Sequence, residues 1–255
     1  MTTFPADSPH VDDVVPAANS EPRRGVSTPT MLVLHYTGMI DARKAIEWLS
    51  VAHSKVSCHY VIDEKGRVTQ MVPEALRAWH AGVSCWAGET DLNSASVGIE
   101  IHNPGHELGY WDFSEPQMRA VERLSLDIVR RNGIAARRVL AHSDVAPQRK
   151  IDPGEKFSWE RLYRAGVGHW VPPSPVREQA RSLGLGDASA SVLAAQRMFT
   201  EYGYDCPLSG TFDEATEKVV RAFQRHFRPA LCDGRVDLST LATLERLIGD
   251  APLVA

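Results

Sequence analysis

Hydrophobic residues alternate through the first part of this chain and recur at helical spacing through the last part, a change that predicts a mixed α/β unit followed by a helical one. MLVLHYT is a short apolar run that turns polar at its end, as expected of a buried strand that delivers His35 at its exit. Met31, Val33 and His35 share one face of it. Asp41 can cap the helix DARKAIEWLSVA, where Ile46 and Leu49 recur at helical spacing and can pack on a sheet. CHYVID and RVTQMV flank the turn-forming DEKG and predict a hairpin of two antiparallel strands. Residues Pro73 to Asn93 mix aromatics with glycines without a sustained period, and a surface loop is expected there. SVGIEIH resumes the alternation, with Val97, Ile99 and Ile101 on one face and Gly98, Glu100 and His102 on the other. Ser114 and Gln117 form a capping box for a helix from Glu115 to Asn132, which Gly133 can end in a left-handed conformation. RVLAH is the next strand, and Ser158 can cap a short helix in SWERLYRAG.

The prolines of HWVPPSP then interrupt regular structure. Beyond them SVLAAQRMFTEYG, DEATEKVVRAFQRHF and DLSTLATLERLIG carry helical apolar spacing, with Asp213 and Asp237 as N-caps. The predicted fold class is α/β, a mixed central sheet flanked by helices, followed by a small all-α bundle. The division expected is a flexible N-terminal arm at 1–25, a first domain at 26–166, a linker at 167–187 and a helical domain at 188–255. A unit of roughly 70 residues supports a modest core, so attachment to another domain or a ligand matters to its stability.

Composition narrows the function classes. Hydrophobic residues make up 43% and charged residues 24% of 255, near the averages of folded proteins, and the formal charge of −4 lacks the basic excess that dominates nucleic-acid binding. Nucleic acid is therefore not an expected partner. The first 25 residues hold four prolines and no apolar run like a signal-peptide core, and no stretch approaches the roughly 20 apolar residues of a membrane span. Cys58, Cys85, Cys206 and Cys232 form no CxxC pair. Buried reduced thiols are the simplest reading, while one pair in each domain leaves two disulfides open in an oxidising compartment.

Three distant side chains suit one zinc ion (Zn2+): His35 in LHYTG with His142 and Asp152 in AHSDVAPQRKID. Two imidazoles and a carboxylate leave a fourth position for water or substrate, the arrangement of a catalytic zinc hydrolase. Each histidine alone, in a chain with ten, has an ordinary hydrogen-bonding role as its alternative. Glu100 lies among the apolar residues of SVGIEIH, where an unpartnered charge is costly; it is a candidate proton carrier, with a solvated strand face as the alternative. Lys150, two residues before Asp152, accompanies the ligand loop and can stabilise a developing oxyanion, or it is an exposed lysine. His80 in RAWHAG is a candidate substrate contact. His59 and His102 are read as supporting or packed residues and stay outside the ligand set.

LHYTG, CHYVIDEKGRVTQMV, RAWHAG, LNSASVGIEIHNPG and AHSDVAPQRKIDPG, in this order over about residues 30–165, resemble the type 2 zinc N-acetylmuramoyl-L-alanine amidases, relatives of peptidoglycan recognition proteins. The resemblance implies that His35, His142 and Asp152 hold zinc, that Glu100 handles protons, and that Lys150 supports the transition state. It also implies cleavage of the amide between N-acetylmuramic acid and L-alanine. GYDCPLSGTFDEATEKVVRAFQRHF and DGRVDLSTLATL resemble small helical peptidoglycan-binding modules over about residues 188–250. Such a module raises the local concentration of a catalytic domain near polymer. The implied partner is peptidoglycan or a muropeptide, and oligomeric state is left open. A wall-binding module favours the periplasm or envelope, whereas the absence of a visible signal peptide favours a cytoplasmic role on imported fragments. Two other functions remain open on these residues: a noncatalytic peptidoglycan recognition protein, and a zinc peptidase cutting the stem peptide.

Overall fold

In the computed structural model, which describes residues 3–176 and 182–250, the alternating segments assemble mainly into one six-stranded sheet. In chain order the strands are β1 (Asp13–Val14), β2 (Ser20–Pro22), β3 (Met31–Tyr36), β4 (Tyr60–Ile62), β5 (Val68–Gln70), β6 (Leu76–Ala78), β7 (Ser96–Ile101) and β8 (Val139–Ala141). The sheet runs β1-β5-β4-β7-β3-β8, with β4 and β5 antiparallel as the expected hairpin and every other pair parallel. A separate antiparallel ribbon joins β2 to β6. Helices α1 (Ala42–Ser50), α2 (Leu92–Ala95), α3 (Glu115–Asn132), α4 (His142–Val145) and α5 (Trp159–Arg164) accompany the sheet, and α6 (Ala190–Tyr202), α7 (Glu214–Phe227) and α8 (Leu238–Gly249) follow it. The mixed sheet with flanking helices and the helical C-terminal unit are thus as the sequence predicts.

β3 lies between β7 and β8, and Met31, Leu32, Val33 and Leu34 are all fully buried. A strand covered on both faces needs no polar alternation, which is why its sequence is a continuous apolar run. The caps form as expected. Asp41 accepts the amides of Arg43 and Lys44, Ser114 and Gln117 close a capping box on α3, and Gly133 ends α3 at φ 64°. Asp213 and Asp237 cap α7 and α8. Ser158 starts α5 but makes no capping hydrogen bond with its side chain. All four cysteines are free thiols.

The segment at 1–25 is not the flexible arm its prolines suggest: from residue 3 onward it is described, and β1 pairs with β5 while β2 pairs with β6. Polar groups pin it. Asp7 accepts the Glu74 amide at 2.8 Å, the Asn19 side chain donates to the Val51 and Val56 carbonyls at 3.1 Å, and Arg23 donates to the Glu74 and Ser96 carbonyls at 2.8 and 2.9 Å. The expected surface loop at 73–93 also needs correction. It holds β6, and Ala78, His80, Ala81, Trp86 and Leu92 are buried, because the N-terminal segment supplies β6 with a partner. Part of the linker is structural as well: Trp170 and Val171 are buried and Leu183 bridges to Val236. Residues 177–181 of the linker and 251–255 of the helical domain lie outside the described residues.

Glu74 ties three of these elements together. Its carboxylate accepts from Tyr60 at 2.6 Å, from Arg131 at 2.7 and 2.9 Å, and from Asn132 at 2.9 Å. Burial opposes its ionisation, but Arg131, Tyr60 and Asn132 hold its pKa below the ordinary 4.5. A carboxyl whose pKa is lowered on folding stabilises the fold above its unfolded pKa and loses that contribution as the pH falls through the folded value. Thermal melts are therefore expected to show stability declining below about pH 4.5. Glu74→Gln should lower the melting temperature near neutrality and flatten that decline; an unchanged acid limb would assign it to other groups.

Candidate metal centre

The carboxyl ends of three adjacent parallel strands converge, the place where open α/β sheets bind ligands. His35 lies one residue before the end of β3, opposite Glu100 of β7, and His142 opens α4 immediately after β8. Asp152 is brought alongside by a hydrogen bond from the Ser143 amide to its carbonyl at 3.0 Å. The result is a buried cluster of three donor atoms. His35 Nδ1 and His142 Nδ1 are 2.8 Å apart, and Asp152 Oδ2 lies 3.0 Å from His142 Nδ1 and 3.3 Å from His35 Nδ1. Donors at metal bonds of about 2.0–2.1 Å in tetrahedral geometry stand about 3.3 Å from one another, so this spacing fits one shared ion.

Hydrogen bonds around the cluster set which nitrogen of each ring is free. The Leu92 carbonyl can only accept, so Ser96 Oγ donates to it at 2.5 Å. Ser96 must then accept from His80 Nε2 at 3.1 Å, which leaves His80 Nδ1 to accept from His35 Nε2 at 2.9 Å. His35 Nδ1 is left with a lone pair facing Asp152 and His142. Likewise His142 Nε2 donates to the Ala81 carbonyl at 3.2 Å, freeing its Nδ1. Both imidazoles thus present unprotonated nitrogens to one point, as metal ligation requires. Burial holds His35 down to about 4 and His80 well below the ordinary imidazole value, with neighbouring His142 and His35 respectively adding to the effect.

His80 was expected to touch substrate. It lines the cleft that also holds Glu100 and Lys150, and both of its ring nitrogens are engaged, with His35 and with Ser96, so it also supports a member of the cluster. RAWHAG carries no signal for this, because the partners lie 45 and 16 residues away. The ring lies against Gly98, where a Cβ would come within 2.5 Å of it. Gly98→Ala should therefore displace His80 and weaken metal binding by about 10–100-fold, the usual cost of losing such a partner. Metal titration against a chelator checks this, and wild-type affinity in the variant would contradict the relay. His59 and His102 stay outside the cluster: His59 accepts from the Gly98 amide, and Gln117 donates to the His102 carbonyl.

Glu100 and Lys150 line the same cleft of about 240 Å³, together with Tyr36, Trp48 and Trp79. Glu100 Oε2 is buried and has no hydrogen-bond partner among the described residues. Burial raises the Glu100 pKa well above the ordinary value, the negative Asp152 adds to the rise, and Lys150 opposes it. A larger groove of about 830 Å³, lined by Arg24, Arg77 and Arg149, contains none of the three donor residues, so chemistry rather than size marks the centre.

Comparison with known proteins agrees with this geometry. The N-acetylmuramoyl-L-alanine amidase family matches residues 25–155, and a peptidoglycan binding domain matches residues 188–244. The N-acetylmuramoyl-L-alanine amidase AmiD of Escherichia coli is 37% identical over 233 residues, which cover 86% of this chain and 82% of AmiD. The solved complex of AmiD with anhydro-N-acetylmuramic acid-L-Ala-D-gamma-Glu-L-Lys gives a TM-score of 0.73 at 35% identity, over 89% of this chain and 92% of that one. AMPDH3 of Pseudomonas aeruginosa, solved with anhydromuramic pentapeptide, also gives 0.73, at 31% identity over 88% of this chain and 92% of that one. The 1,6-anhydro-N-acetylmuramyl-L-alanine amidase AmpD of Escherichia coli is 35% identical over 165 residues, covering 58% of this chain and 88% of AmpD. With a relative matched along most of its length and the family matched across His35, His142 and Asp152, the chain belongs to the N-acetylmuramoyl-L-alanine amidases.

Proposed function

We propose that this chain uses zinc to hydrolyse the amide between N-acetylmuramic acid and L-alanine in peptidoglycan or its soluble fragments, with residues 26–166 as the catalytic domain and 188–255 as a wall-binding module. The observation that carries the reading is the approach of His35 Nδ1, His142 Nδ1 and Asp152 Oδ2 to within 3.3 Å of one another. Two nitrogens and one oxygen suit zinc, and these residues would hold it with a position left for substrate. When bound, zinc supplies an electrophile for the amide carbonyl and lowers the pKa of water toward about 7. Glu100 accepts the proton of the attacking water and returns it to the leaving amine of L-alanine. Its Oε2, without a partner among the described residues, supports that role, since a structural carboxylate would have a donor of its own. Lys150 places a cation on the same cleft, where it offsets negative charge on the carbonyl oxygen. Trp48 and Trp79 give the cleft flat apolar walls suited to a sugar ring.

Because AmiD and AMPDH3 have been solved with anhydromuramic peptides, soluble anhydro-muropeptides are proposed as substrates here beside intact wall. Digests of sacculi and of purified anhydro-muropeptides, with and without chelator, are expected to release stem peptides beginning at L-alanine from sugar left whole. Products cut within the stem, or chelator-resistant cleavage, would overturn the proposal.

A further inference from the structure

Asp144, two residues after His142, is fully buried, and a buried carboxylate is tolerated only where donors satisfy it. Its Oδ2 accepts from the Ala141 amide at 2.8 Å, which fixes the start of α4. The remaining donors come from the C-terminal unit: Tyr204 Oη gives to Oδ1 at 2.7 Å and His226 Nδ1 to Oδ2 at 2.6 Å. Both rings are held in place. His226 is stacked between Trp159, at 3.7 Å between ring centres, and Phe227, at 3.9 Å. Tyr204 packs edge-on against Trp86 at 5.0 Å, and a Cβ on the neighbouring Gly203 would strike Trp86. Arg137 adds a hydrogen bond to the Leu247 carbonyl at 2.7 Å, and one hydrophobic cluster runs through both units. The C-terminal unit is therefore packed against the far side of the short helix that carries a metal-binding histidine.

We propose that Tyr204 and His226 are positioning residues for the metal centre, so that the C-terminal unit completes the site besides any wall binding. They act through Asp144 on α4, which aims His142, and through the Ser143 amide on the Asp152 carbonyl, which carries the second ligand. The inference rests on the proposed zinc site. It does not depend on where the module binds polymer.

The test uses the full-length chain, zinc titrated against a chelator, and turnover of a soluble anhydro-muropeptide, a substrate that needs no anchoring to the wall. The double variant Tyr204→Phe, His226→Leu keeps most of the packing volume and removes both donors. Its zinc affinity should fall about 10–100-fold, as when a group orienting a metal ligand is lost. Its kcat should fall while KM stays near wild type. His226→Asn, whose amide can donate from about the Nδ1 position, should recover most of the His226 share in a single-site comparison with His226→Leu. Should the double variant fail to fold, Tyr204→Phe alone decides, since it deletes one hydroxyl. Wild-type zinc affinity and kcat in a folded variant, even with a lowered melting temperature, would reduce the interface to ordinary packing and overturn the inference. Wild type that binds zinc yet leaves the muropeptide intact would overturn the amidase reading instead, and the affinity comparison would still judge the positioning role.

Discussion

Glu100→Gln is expected to cut kcat by about 10²–10⁴-fold, the range of a lost general acid–base group, while zinc affinity and KM stay near wild type. Glutamine preserves the shape of the side chain and the packing of β7, but it cannot take a proton from water or pass one to the leaving amine. Glu100 sits opposite His35 in the register of two parallel strands and lines the cleft without being one of the clustered donors. The same residue sets the acid limb of the pH profile. A base must be ionised to work, and burial, reinforced by Asp152 and opposed by Lys150, raises the Glu100 pKa well above 4.5. Activity should thus fall as the pH drops through a value above the ordinary carboxylate range, and the residual activity of Glu100→Gln should lack that limb. Turnover close to wild type in the variant would remove Glu100 from the mechanism.

Asp152→Ala is expected to abolish zinc-dependent turnover and to lower zinc affinity by more than the roughly 10–100-fold that a supporting partner costs. Two imidazoles remain after the change, and the charge that balances a divalent cation is gone. Wild-type zinc loss on acidification is expected to follow protonation of the ligands, since a protonated ligand cannot bind the metal. His35, held down to about 4, resists that protonation. Spectroscopic titration with cobalt as a zinc substitute gives a readout separate from activity: the visible spectrum of a tetrahedral site should appear in wild type and be absent from the variant.

The parts of the molecule that were legible in the sequence are those governed by local rules. β3 and β7 follow from runs of apolar residues, the starts of α1, α3, α7 and α8 follow from Asp41, Ser114, Asp213 and Asp237, and the three donors follow from the ordered motifs LHYTG and AHSDVAPQRKID and the family they resemble. What escaped is carried by single polar contacts between residues far apart. His80 meets His35 across 45 positions, Asp7 meets Glu74 across 67, and His226 meets Asp144 across 82. Nothing in hydrophobic periodicity encodes such contacts, and the prolines near the N-terminus read as a free arm although part-buried hydrogen bonds pin the segment beside β5 and β6. The same blindness made the C-terminal unit look like a separate appendage, whereas Tyr204 and His226 reach the helix that bears His142.

The most direct measurement is metal content. Protein stripped with chelator, reloaded with zinc and desalted should hold about one zinc ion per chain, and His35→Ala, His142→Ala and Asp152→Ala should each lose it while remaining folded. Full zinc content at wild-type affinity in any one of the three would contradict a centre built from these side chains.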